Sequence, residues 1–155
     1  MPRSMLLISL GVLIAGGCSR AEEKAAPVAV AASGVAGLYE RAGRTGGLDR
    51  LCLSGQASDL RFGLVTGSGG PGNCTAKGTA MQQGATLRMR IDGAPACTLA
   101  ATVTDAGVAL AAARGAECDY YCGEGAVLTP GLFAKVGASE ALGKAVDIAG
   151  EPLCR

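Results

Sequence analysis

Leu87-Arg88-Met89-Arg90-Ile91-Asp92 alternates without a break. Leu, Met and Ile fall on one side and Arg, Arg and Asp on the other, the period of a strand with one face in a core and one in water. Working outward, Thr75-Ala76-Lys77-Gly78-Thr79-Ala80-Met81 is its expected partner, joined through Gln82-Gln83-Gly84-Ala85. Beyond it, Cys97, Leu99, Ala101 and Val103 share a face, with Thr98 and Thr102 opposite. Val108 to Ala113 is expected to return against that run through Asp105-Ala106-Gly107, a hairpin-type turn. Leu51 and Leu53, then Phe62 and Leu64, mark two further strands at 50–56 and 60–66. Glycines at 43, 46–47, in the cluster Gly67 to Gly72, and at 84, 93, 107, 123 and 125 punctuate these runs as turns between short strands do. The last segment changes period. Ala138, Ala141, Leu142, Ala145, Val146 and Ala149 line one face of an amphipathic helix, with Ser139 as N-cap, Gly150 as C-cap and Pro152 beyond. The expected fold is mainly β: a small antiparallel sheet or barrel over 35–155, with one C-terminal helix at about 139–149.

The chain of 155 residues is one domain's worth. Hydrophobic residues make up 49% but aromatics only 3%, because 29 residues are Ala, beside 25 Gly. Such residues contribute little apolar area. The expected core rests on Leu51, Leu53, Phe62, Leu64, Met89, Ile91, Leu99, Val103, Leu110, Leu128, Phe133 and Leu142, which is thin, so covalent bridges are expected to supplement it. There is no His, which removes Ser-His-Asp and Cys-His catalysis and His metal ligands. Lys and Arg number 14 against 13 Asp and Glu, a balance without the footprint of a nucleic-acid binder.

The N-terminus reads as an address. Arg3 precedes the apolar run Met5 to Ala15, then Gly16 and Gly17. That is the layout of a secretory signal peptide over 1–17, too short for a permanent span of ~30 Å of hydrocarbon. Ala15-Gly16-Gly17-Cys18 resembles the lipobox of bacterial lipoproteins. The family usually has Leu, Val or Ile where Ala15 stands. The resemblance implies that Cys18 is acylated and becomes the mature N-terminus, and that Ser19 directs the protein to the outer membrane. The expectation is a lipid-anchored protein of the cell envelope facing the periplasm, with the membrane as a partner through its lipid. Simple cleavage, leaving Cys18 as a free thiol, is the alternative. Residues 18–34 carry Ala, Glu, Lys and Pro27 with no large apolar side chain besides Val, and read as a flexible tether.

Setting Cys18 aside leaves six cysteines, an even number suited to disulfides in an oxidising compartment. Fifteen connectivities exist for six cysteines. If 74–82 and 86–93 form a hairpin, Cys74 and Cys97 lie at its open end. Cys118 and Cys122 suggest a local clip, which leaves Cys52 for Cys154. The expected set is Cys52–Cys154, Cys74–Cys97 and Cys118–Cys122, the first closing a loop worth about 4.7 kcal/mol in the chain-entropy model.

Chemistry candidates are few. Cys118 and Cys122 have three residues between them, not the two of a redox C-x-x-C, and no His completes a zinc set. Glu117, Asp119 and Glu124 form an acidic loop without EF-hand spacing. Gly67 to Gly72 lacks the Gly-Lys-Ser/Thr of a phosphate loop, and Ser68 has no His to activate it. No metal or cofactor is expected. Tyr120 and Tyr121 are candidate partner-binding residues, against a reading in which one simply packs inward. Arg88 and Arg90, with Lys77 opposite, are candidates for contacting an anionic glycan or protein, against a merely solvated strand face. The expected function is a non-enzymatic binding or structural role. Two alternatives stand beside it: a glycan-acting enzyme using Glu117, Asp119 and Glu124, and, by general build alone, a lysozyme-inhibitor-like protein.

Overall fold

The structure, a computed structural model, describes residues 34–44, 46–67 and 72–154. The expected signal segment, Cys18, nearly all of the expected tether, and Ser68 lie outside the described residues. Eight strands follow in chain order: β1 (Gly37–Ala42), β2 (Leu48–Gln56), β3 (Asp59–Thr66), β4 (Cys74–Gln83), β5 (Thr86–Ile91), β6 (Thr98–Thr104), β7 (Gly107–Leu110) and β8 (Gly131–Gly137). Each pairs antiparallel with the next, and β8 returns to β1, so the sheet closes into an up-and-down barrel. Of the two architectures the sequence allows, the barrel is the one formed.

Alternation along the strands sets the inside. Leu51 and Leu53, Leu60, Phe62 and Leu64, Leu87, Met89 and Ile91, Leu99, Val108, Leu110 and Phe133 are buried in one cluster. An eight-stranded ring leaves room for side chains and little else, so large residues must face small ones. Strand β4 supplies the small ones, Ala76, Gly78 and Ala80. A Cβ at Gly78 would stand 2.9 Å from the Phe62 ring. Val103 and Leu142, expected in the core, are only half-buried.

Three hairpins close one end with tight turns, at 57–58, 84–85 and 105–106. There the Tyr39 hydroxyl donates to the Val35 carbonyl at 2.6 Å, and burial pushes its pKa up. The other end carries the long connections, including 111–130. Its mouth is plugged by Arg41, which bonds the Asp49 carboxylate at 2.9 and 3.0 Å, donates to the carbonyls of Thr129 and Pro130, and lies 4.2 Å over the Phe133 ring. Asp49 is 2% exposed. A buried ion pair is tolerated only with its remaining donors satisfied, and the two carbonyls do this for Arg41.

Strands β1 and β8 are not marked by the sequence pattern. In β1 the inward residue after Tyr39 is charged Arg41, which breaks the apolar alternation. In β8 only Phe133 is fully buried, while Leu132 and Val136 are exposed, inverting the expected pattern.

The expected C-terminal helix is present but shorter than 139–149. Residues Ser139–Lys144 form a short 3-10 helix, its N-cap is Ala138 with no side-chain cap, and the chain beyond runs as a strap over the outside of the barrel. An alanine stripe gives a helix little to bury, whereas the strap seats larger groups. Leu38, Cys52, Gly63 and Lys77 stand directly opposite one another across β1, β2, β3 and β4. Cys154 bridges Cys52, Leu153 lies fully buried over Gly63, and Asp147 pairs with Lys77 at 3.1 Å. Burying Leu153 contributes ~1.5–3 kcal/mol. A Cβ on Gly63 would meet the Leu153 carbonyl oxygen at 2.1 Å, so the strap needs glycine there.

The expected Cys52–Cys154 bridge is present, but the other two partners are exchanged: Cys74 joins Cys122 and Cys97 joins Cys118. The expected Cys74–Cys97 and Cys118–Cys122 pairs fail on geometry. Cys74 opens β4 and Cys97 stands just before β6, with β5 between these two strands, so the two cysteines start strands two spacings apart, about 10 Å. The start of β4 pairs instead with the 121–123 segment, through Thr75 N–H to the Tyr121 carbonyl and Gly123 N–H to the Asn73 carbonyl.

Two outcomes test the strap. Gly63→Val should lower stability by about 1–3 kcal/mol through overpacking, read by thermal unfolding; an unchanged melt would show that Leu153 is not seated there. Burial alone would raise Asp147, but N–H groups of Glu151 and Ala149 and the Lys77 ammonium together hold its carboxyl below its ordinary value of 3.8. Its charge therefore stabilises the fold fully at neutral pH, and this contribution disappears as pH falls below about 3.8. The gap in melting temperature between wild type and Asp147→Asn should be widest near pH 7 and close in that acidic range.

Candidate functional site

With the interior filled, chemistry has to sit on the surface, and two regions stand out. The first is the loop over the open mouth. Residues 111–130 lie across that end, clamped to β4 by Cys74–Cys122 and to the chain before β6 by Cys97–Cys118. Turn bonds from Tyr120 N–H to the Glu117 carbonyl and from Cys122 N–H to the Asp119 carbonyl fold the segment in which Cys118 and Cys122 take different partners. Leu128, with Ala113 and Ala126, packs onto the core beneath.

The two tyrosines are not equivalent. Tyr121 donates from its hydroxyl to the Asp92 carbonyl at 2.7 Å, and its own carbonyl takes the Thr75 N–H. It is a structural latch between the loop and the β5–β6 connection. Tyr120 stacks edge-on against Tyr121, 4.9 Å between centroids, and is 73% exposed. Of the pair, Tyr120 is the one placed to meet a partner.

Glu117 accepts the Ala96 N–H at 2.8 Å and so holds the loop. Asp119 and Glu124 flank the cysteine segment on the exposed side. Among the described residues no group of three His, Cys, Asp or Glu is arranged to hold a metal ion.

The second region is the outer face of β3 to β6. Arg61, Thr79, Arg90 and Thr98 stand directly opposite one another across these four strands. The row continues one place further. Thr98 and Arg114 exchange backbone hydrogen bonds at 2.8 and 3.0 Å, which sets Arg114 beside Thr98 on the same face. Gly115 makes this approach possible: its φ is +124°, and a Cβ would collide with the Ala96 carbonyl oxygen at 1.7 Å. Arg88 stands two residues before Arg90 on the same face of β5, opposite Met81 and Ala100. Between these residues lies a shallow groove of about 310 Å³ lined by Thr79, Met81, Arg88, Arg90 and Thr98.

The charges in this region divide sharply. Arg61 pairs with Asp92 at 2.7 Å, an exposed pair of small energetic weight. Lys77, expected to join Arg88 and Arg90, is drawn away to Asp147 and the Pro152 carbonyl beneath the strap. Arg88, Arg90 and Arg114 are exposed and make no side-chain hydrogen bond or ion pair among the described residues. The sequence reading found Arg88 and Arg90 by their alternation. Arg61 carries the same signal between Leu60 and Phe62 and was missed. Arg114 carries none, because it joins the row through a bridge formed outside any strand.

Two smaller grooves, about 110 Å³ beside Tyr39 and Lys135 and about 190 Å³ beside Arg44 and Thr129, lie at the two ends of the barrel. None of the three acidic candidates lines any of these grooves. Comparison with protein-family models, curated proteins and solved structures finds no match to the chain.

The unequal tyrosines are open to test. Tyr121→Phe should cost about 0.5–1.5 kcal/mol by removing one hydrogen bond, while Tyr120→Ala should change stability by no more than ~0.5 kcal/mol. Denaturant unfolding reads both, and equal losses would contradict the latch.

Proposed function

We propose that this chain is a lipid-anchored protein of the cell envelope that works by binding rather than by catalysis. The observation that carries the binding role is a barrel filled with side chains and covered at one mouth, with arginines left unpaired on its outer wall. A filled eight-stranded barrel has no interior site for a small ligand. Partners therefore meet the outer face or the disulfide-held loop, where Tyr120 offers a large rigid area at low entropic cost.

The anchor rests on the N-terminal sequence: Arg3, the apolar run, and the lipobox-like Ala15-Gly16-Gly17-Cys18. Three disulfides support it, since such bonds persist in oxidising compartments such as the periplasm. Cleavage before Cys18 would leave 138 residues with 13 positive and 13 negative charges, so the lipid and not a basic patch would hold the protein to the membrane. Each buried acyl CH₂ adds about 0.8 kcal/mol, and stable anchoring needs more than one chain, as lipoprotein acylation provides.

Cys18→Ser should move the protein from the membrane fraction to the soluble periplasmic fraction. Retention of the variant in the membrane would overturn the anchor. Crosslinking in intact envelopes followed by capture of the lipidated form should recover a protein or glycan partner, and recovery of neither would count against the binding role.

A further inference from the structure

We propose that the row Arg61, Thr79, Arg90, Thr98, Arg114 is a binding register for an extended anionic glycan bearing about one acidic group per disaccharide. The proposal rests on the envelope-binding reading above and names the ligand class for one of its two surfaces.

The spacing comes from the sheet. Neighbouring strands lie ~4.8 Å apart, so arginines on alternate strands repeat at about 10 Å. That is close to one disaccharide of an extended glycan. The residues between them are Thr79 and Thr98, whose hydroxyls both donate and accept. The wall thus alternates guanidinium and hydroxyl along a line, as such a polymer alternates acidic and neutral hydroxylated sugars. Guanidinium takes carboxylate, sulfate or phosphate in two-pronged fashion, which an ammonium does not. Arg88 widens the charge at the middle of the row, over the 310 Å³ groove. At the Arg61 end, Asp92 already fills the place of one anionic group. That contact is a single bond from Arg61 to Asp92, and it leaves Arg90, Arg114 and Arg88 as the open positions.

The chain as a whole is close to neutral, so this is a local field and not a general stickiness. The fixed spacing of the row favours an extended polymer over the headgroups of a fluid membrane, which hold no fixed spacing. The row and its groove contain no aromatic ring on which a nucleic-acid base could stack.

The test uses the purified full-length chain in detergent and four probes: hyaluronate, with one carboxylate per disaccharide; neutral dextran; single-stranded DNA; and phosphatidylglycerol vesicles. The chain should bind hyaluronate, release it as salt rises, and ignore dextran. The Arg90→Gln/Arg114→Gln double variant should lose about a hundredfold in affinity, each charge-assisted contact being worth roughly tenfold. Arg90→Lys should recover only part of it. Arg44→Gln, an exposed arginine on the β1–β2 connection, should leave affinity unchanged, and matching thermal melts for all variants would show that folding is not the cause.

No hyaluronate binding, or equal binding by the double variant, overturns the proposal. So does arginine-dependent binding to vesicles or DNA without binding to hyaluronate. Membrane fractionation of Cys18→Ser is a separate readout. Hyaluronate binding with failed anchoring would sink the envelope reading and leave the register standing; sound anchoring without hyaluronate binding would do the reverse.

Discussion

Closure of the ring is the constraint from which the rest of this molecule follows. Strand β8 returns to β1 by pairing Leu38 with Gly137, Tyr39 with Lys135 and Glu40 with Ala134, with a register shift beside Leu38. Closure abolishes sheet edges, which otherwise template aggregation. It also fixes the diameter. Eight strands leave an interior that side chains just fill, so Phe62 and Phe133 require small residues elsewhere, and Ala76, Gly78 and Ala80 on β4 provide them. A composition that looks poor for a core, rich in Ala and Gly, is the one this narrow cylinder needs.

A closed ring still has two ends and an outer wall. The tight-turn end is capped by the Tyr39 hydroxyl on the Val35 carbonyl. The other end needs the Arg41–Asp49 pair as a plug and the 111–130 loop as a cover. On the wall, Leu38, Cys52 and Val65 would present an apolar patch beside Lys77 if the C-terminal strap did not lie across it. Each disulfide secures one of these coverings at a place where the hydrophobic surface alone is too small to hold it. The same division explains the outer surface. The wall under the strap uses its lysine internally, and the wall left bare keeps its arginines for solvent or a ligand.

Legibility in the sequence followed hydrophobic alternation. Strands β2 to β7 were readable because Leu51 and Leu53, Phe62 and Leu64, Leu87, Met89 and Ile91, and Leu99 repeat every second residue. Strand β1 was not, because Arg41 occupies an inward place that only a partner carboxylate makes tolerable. Strand β8 was not, because it buries a single large residue. The helical period at the C-terminus outran the helix for a physical reason: alanines at helical spacing satisfy the pattern but bury too little to enforce it, and Cys154 and Leu153 drew the chain into a strap. The candidate surface was half legible. Arg88 and Arg90 announced themselves, whereas Arg114 joined them only through a backbone bridge that Gly115 permits.

The sequence by itself determined what local chemistry determines: alternating strands, glycine-marked turns, a mainly β fold and an absence of His. It left open how strands distant in the chain come to neighbour one another. Ring closure, the exchanged partners of Cys74 and Cys97, the withdrawal of Lys77 into the strap, and the alignment of Arg61 and Arg90 on alternate strands with Arg114 on the bridge beyond β6 were decided by tertiary structure alone. The reason is that each depends on register between segments that share no local interaction, and register is set by how the whole ring packs.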